Sequence, residues 1–191
     1  IELVDVVISD NMGTIIPSSS VDGTITITDE PVYYNVIASV NPTNAGEVTG
    51  AGEYEEGTEV TMEAIANEGY TFENWTEDGE EVSTDAIYTF EIVEDRTLVA
   101  NFSINEYEIT ASVNPTNAGS IEGAGTYNYG ETATLEATAN EGYTFENWTE
   151  DDEIVSTNAT YAFEVVEDRD LVANFVINEY EITASVNPTN A

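Results

Sequence analysis

Carboxylates are the only reactive side chains present in quantity. The chain of 191 residues carries 39 Asp and Glu against two Arg, has no His, Lys or Cys, and bears a formal net charge of −37. A glycosidase needs two carboxylates facing across a cleft, one as acid and one as base or nucleophile. With 17 acids in residues 34–106 and 15 in residues 107–179, the nearness of any two is uninformative. The missing types decide more. Without His there is no imidazole base or ligand, and without Cys no thiolate nucleophile, disulfide or thiolate metal site. Without Lys there is neither a Schiff base nor a Lys–Asn isopeptide cross-link. The expectation is a non-enzymatic protein with no cofactor, stabilised by packing or by ions.

Three further groups of residues are candidates for a role. The runs Glu77-Asp78-Gly79-Glu80-Glu81 and Glu150-Asp151-Asp152-Glu153 offer the hard oxygen donors that Ca2+ favours, but neither has EF-hand spacing. They point to loosely held Ca2+ at Glu77, Asp78, Glu150, Asp151 and Asp152 rather than to a cage. Four N-x-S/T sequons, at Asn74, Asn101, Asn147 and Asn158, are candidate glycosylation sites in an exported protein. Arg96 and Arg169, the only cations, sit 73 residues apart. In so negative a field each is expected in a structural ion pair, with Asp95 or Asp168 or with an acid on a neighbouring strand.

The charge also selects partners. Binding nucleic acid or anionic headgroups requires Lys and Arg to displace counterions, so neither partner is expected. No apolar run approaches the ~20 residues that span a bilayer. Self-repulsion is relieved by salt, since the Debye length falls to about 10 Å at 0.1 M and about 3 Å at 1 M. A saline or calcium-bearing exterior suits such a surface, and the expected location is extracellular or at the cell surface.

The elements that position these residues repeat. Residues 34–106 align with 107–179 without a gap and match at 51 of 73 positions, while residues 178–191 are identical to 105–118. This organisation reads as residues 1–32 closing a preceding β domain with a hinge, 33–106 as one repeat, 107–179 as a second, and 180–191 as the start of a third within a longer array. Inside a copy, Tyr107, Ile109, Ala111 and Val113 alternate with polar residues, as do residues 132–139. That period of two marks strands with one buried face. NPTNAG, Gly130, Asn140-Glu141-Gly142, the acidic runs and EDR supply the turns. Five or six strands are expected per copy, with at most one short helical turn near VST. The fold class is all-β, as tandem small β-grasp-like or β-sandwich-like modules. Tyr70, Phe72 and Trp75, with Tyr143, Phe145 and Trp148, are expected to fill the cores rather than to form an exposed carbohydrate platform.

The motifs GAGxYxxG, EGYTFENWTED and YxFxxxEDRxLVANF, in that order over residues 34–179, resemble the divergent internalin-type B-repeat family of bacterial and archaeal surface proteins. The resemblance implies a small β module strung in tandem on extracellular proteins, with spacer or adhesive roles and no catalysis. LVDVVISDNMG and VDGTITI, near the start, resemble the closing strands of a cohesin-like β-sandwich. The leading expectation is a structural stalk or filament segment whose partners are neighbouring copies or subunits. The rival is an adhesin whose loops, such as NPTNAG, recognise a glycan or a surface protein with avidity from repetition. End strands completing a neighbouring sheet are a third arrangement.

Overall fold

The computed structural model describes residues 30–184. The expected strands at residues 1–9 and 23–28, and with them the cohesin-like resemblance, lie outside the described residues. Among the described residues, those from Tyr33 onward form one compact unit, in which the 73-residue period is a structural period of eight strands.

The first module contains β1 (Tyr33–Asn41), β2 (Gly46–Thr49), β3 (Gly52–Glu55), β4 (Glu59–Ala66), β5 (Tyr70–Glu77), β6 (Glu80–Ser83), β7 (Ile87–Glu91) and β8 (Arg96–Ile104). The second contains β9 (Glu106–Asn114), β10 (Gly119–Glu122), β11 (Gly125–Asn128), β12 (Thr132–Ala139), β13 (Tyr143–Glu150), β14 (Glu153–Ser156), β15 (Thr160–Glu164) and β16 (Arg169–Ile177). Each module has a five-stranded sheet, β3-β1-β8-β5-β6 or β11-β9-β16-β13-β14, and a three-stranded sheet, β2-β4-β7 or β10-β12-β15. Both sheets supply one apolar cluster, so the module is sandwich-like. No helix occurs among the described residues, and the segment at VST is the end of strand β6 or β14 rather than a helical turn.

Alternation does the sorting. Along β4, Val60, Met62 and Ala64 are buried while Glu59, Thr61 and Glu63 face solvent; β12 repeats this with Ala133, Leu135 and Ala137. Trp75 and Trp148 are 0% exposed at the centres of their cores. Their indole N–H groups donate to the carbonyls of Ala86 (3.3 Å) and Ala159 (3.1 Å), which satisfies the one polar atom each ring brings inside. Phe72 and Trp75 are three residues apart and a regular strand would send them to opposite faces. The pairing of β5 with β8 shifts between Phe72 and Asn74, leaving Glu73 as an extra residue, and this bulge aims both rings inward. Their centroids are 5.9 Å apart, and Phe72 meets Phe102 edge-on at 5.5 Å.

Every strand pairing but one in each module is antiparallel. The exception joins the first strand to the last: β1 runs parallel to β8 from Val36↔Arg96 to Asn41↔Asn101, and β9 parallel to β16 from Ile109↔Arg169 to Asn114↔Asn174.

Candidate functional site

Each module has a single cation, and the strands converge on it. Arg96 opens β8, Glu77 closes the neighbouring antiparallel β5, and Tyr88 and Phe90 lie on β7 of the opposite sheet. The Arg96 Nε donates to Glu77 Oε1 (3.2 Å) and Oε2 (2.9 Å), and Nη2 closes a second bond to Oε2. Its Nη1 donates to the Tyr88 hydroxyl at 3.2 Å. The guanidinium carbon lies 4.3 Å from the Phe90 ring centroid and 5.6 Å from that of Tyr88. Glu77 Oε1 also accepts the Thr97 N–H at 3.1 Å. The planar fork of Arg allows all of this at once, which the point charge of Lys does not. The result is a clamp across both sheets, with side chains only 15% and 23% exposed. Hydrogen bonds from Arg96 hold the Glu77 carboxyl below its ordinary pKa against desolvation, with the Thr97 amide assisting, and the pair raises that of Arg96.

Arg169 repeats the clamp with Glu150, Tyr161 (3.4 Å to the hydroxyl) and Phe163 (4.3 Å to the centroid). The partners are thus acids on the neighbouring strand. Asp95 and Asp168, adjacent in sequence, instead accept the backbone N–H groups of Asn35 (2.7 Å) and Glu108 (2.8 Å).

This geometry redistributes the cation candidates. The Glu77 and Glu150 carboxylates are engaged by Arg96 and Arg169. Asp78 and Asp151 have φ of 51° and 49°, and together with Gly79 (85°) and Asp152 (66°) they form two-residue hairpin turns with both residues left-handed. The acidic runs are therefore built around tight turns. Among the described residues no three Asp or Glu side chains converge on a metal position.

The sequons separate. Asn101 donates to Asn74 Oδ1 (2.9 Å) and Thr76 Oγ1 (3.1 Å) and accepts from Asn41 (3.1 Å), while Asn74 donates to Glu81 (2.8 Å). This asparagine ladder crosses β1, β8 and β5. Asn114, Asn174 and Asn147 repeat its core at 2.9 and 3.0 Å. Asn74, Asn101 and Asn147 thus have their amides in sheet-face hydrogen bonds. Asn158 is exposed in the turn between β14 and β15.

Of the six core aromatics, the two Trp are fully buried and Tyr70, Phe72, Tyr143 and Phe145 are half-buried against them. No indole face is presented to a sugar. The NPTNAG loops are anchored: Ala45 and Ala118 are 0% exposed, and Ala45 bonds back to Pro42 and forward to Asn67, both at 2.9 Å. A shallow depression of about 220 Å³ lies over Glu108, Thr110, Asp168, Arg169 and Asp170. The ladder escaped sequence reasoning because Asn41 and Asn101 are 60 residues apart. The available signal was the recurrence of both in the second copy, as Asn114 and Asn174.

Comparison with known proteins places this arrangement. The family described as "Divergent InlB B-repeat domain" matches residues 36–106 and again 109–179. No curated protein matches the chain. Among solved structures the chain is similar to the Bacillus anthracis TIE protein at 12% identity and a TM-score of 0.39, over 77% of this chain and 34% of that one. The chain thus spans about a third of the length of that structure.

Proposed function

The chain belongs to the divergent InlB B-repeat domain family, a family associated with cell-surface proteins, and from that premise we propose that its modules are non-catalytic spacers that extend a stalk from a cell surface. The observation carrying this reading is the parallel pairing of the first and last strands of each module. In a parallel pair both strands run the same way, so the chain enters a module at one end of the sandwich and leaves at the other. From the level of Tyr33 to Ile104, the register of β1 on β8 corresponds to 11 residues of strand rise, or about 36 Å. A single residue, Asn105, separates β8 from β9, so the advance passes directly to the next module.

Parallel end strands also suit mechanical load. Tension applied at the two ends shears the β1–β8 ladder along its length, so its hydrogen bonds resist together instead of opening in turn. The Arg96 clamp sits at one end of that ladder and ties it to the opposite sheet. The acidic surface keeps neighbouring stalks from associating through their sheet edges. Asn158 is the sequon whose exposure best suits a glycan in an exported protein.

Electron microscopy or small-angle scattering of the full chain tests the proposal. Successive modules are expected at a spacing of at most about 43 Å along one line, the 13 residues of strand rise from the level of Tyr33 to its counterpart Glu106. A compact packing of the two modules side by side, or saturable binding of a single glycan on an array, contradicts it.

A further inference from the structure

The stalk reading leaves open what stiffens the line of modules, because charges about 36 Å apart are screened at a Debye length of about 8 Å. The stiffness must come from contact, and the hydrogen bonds at the joint between the two modules centre on Asn105. The Asn105 N–H donates to the Gly69 carbonyl at 2.8 Å, its Oδ1 accepts from Thr71 Oγ1 at 2.7 Å, and its carbonyl accepts from the Tyr129 N–H at 2.8 Å. The Tyr129 ring then lies directly on Gly69, which is buried and has φ of +79°. A Cβ on Gly69 would stand 2.0 Å from that ring. The seat exists because the residue is glycine, for backbone conformation and for space alike.

The second module carries the same seat at its far end. The Asn178 N–H donates to the Gly142 carbonyl at 2.7 Å, Thr144 Oγ1 donates to Asn178 Oδ1 at 2.6 Å, and Gly142 has φ of +87°. Here, among the described residues, nothing lies within 4 Å of the Cβ position. Ile177 is 67% exposed, whereas Ile104 at the occupied joint is 38% exposed. Residues 178–191 repeat 105–118, so the sequence that follows Asn178 is the one that follows Asn105 into the occupied joint.

We infer that the Gly142 turn with Asn178 is a docking surface for a further module of this family, and that the residue at the Tyr129 position of the incoming module decides whether it docks. An aromatic ring there seats on the glycine. The first module has Glu56 at that position, exposed, and it follows residues 1–32, which do not match the repeat. A glutamate brought to the Gly69 or Gly142 turn meets the carboxylate of Glu68 or Glu141, the residue preceding the glycine. Tyr129 already feels that charge: desolvation and the neighbouring Glu68 raise its phenol above the ordinary value. Position 56 or 129 thus distinguishes a module that continues an array from one that starts it. The inference rests on the stalk reading only for its purpose, since a joint that hinges leaves the 36 Å advance of each module intact.

The test uses the full chain. G69A and G142A introduce the same left-handed strain, but only G69A meets a ring, so G69A is expected to lower Tm more. The excess is expected to vanish in a Y129A background. Amide relaxation is expected to show both modules tumbling as one body in the wild type and separately in Y129E, with both Trp indole resonances still dispersed as in folded modules. In a chain lengthened by a third copy of residues 107–179, the Gly142 amide is expected to take on the shift and exchange protection of Gly69. With Glu at the Tyr129 position of that third copy, it is expected to stay as in the 191-residue chain. Equal effects of G69A and G142A, or a Gly142 amide indifferent to the third copy, overturn the inference. Neither result bears on the advance along a module or on glycan binding, which test the stalk reading.

Discussion

Replacing Arg96 with Met removes the only cation of the first module while keeping most of its apolar stem, so the loss reports the clamp rather than a cavity. The bidentate, charge-assisted bond to Glu77 is worth about 1.5–3 kcal/mol at side-chain exposures of 15% and 23%. The guanidinium over Phe90 at 4.3 Å adds about 0.5–1 kcal/mol. Removing Arg also strands a largely buried carboxylate among other acids, whereas the desolvation of Arg itself is recovered. The expected net loss is about 2–4 kcal/mol. R96K retains the charge but not the fork or the stacking, and is expected to lose about half as much. Urea unfolding followed at the Trp75 indole N–H resonance reads the first module, with the Trp148 resonance as an internal reference. A change below about 0.5 kcal/mol for R96M, or an R96K indistinguishable from wild type, refutes the assignment, because a pair on open surface behaves that way.

The same pair gives a pH signature. Because the folded pKa of Glu77 lies below its ordinary value, its contribution is complete above about pH 4.3 and disappears as pH falls through the lowered value. The stability gap between wild type and E77Q is therefore expected to be widest near neutrality and to narrow below pH 4 in an acid titration of unfolding midpoints. D152G is expected to stabilise the second module by about 0.5–1 kcal/mol, since Asp152 holds φ of 66° where the first module has Gly79; thermal unfolding of the variant checks this. Tm is expected to rise between low and molar NaCl as screening relieves the net charge of −37, and an unchanged Tm across that range contradicts it.

The periods of the chain were legible and its exceptions were not. Alternation in residues 59–64 and 132–137 marks strands and their buried faces because a half-buried strand leaves no other pattern, and the 73-residue repeat shows in the sequence directly. Four-residue strands such as β2, β3 and β6 are too short to display a period and exist only because a longer neighbour pairs with them. The bulge at Glu73 is equally silent, although without it Phe72 and Trp75 cannot share one core. Arg96 was legible as a paired cation, but not its partner. Glu77 is 19 residues away and becomes adjacent only through the antiparallel pairing of β5 and β8, which brings Glu77 opposite Leu98. The seat of Tyr129 on Gly69 left one trace, a position where two closely similar copies differ as Glu and Tyr.

That each repeat is a closed module built to bear tension along its parallel end strands is tested most directly by pulling single molecules of the full chain by their ends. The expected record holds two unfolding events of similar force, each lengthening the chain by about 220 Å, the span of 73 extended residues less the folded advance. One event releasing both repeats together, or extension with no resolvable force peaks, contradicts the account.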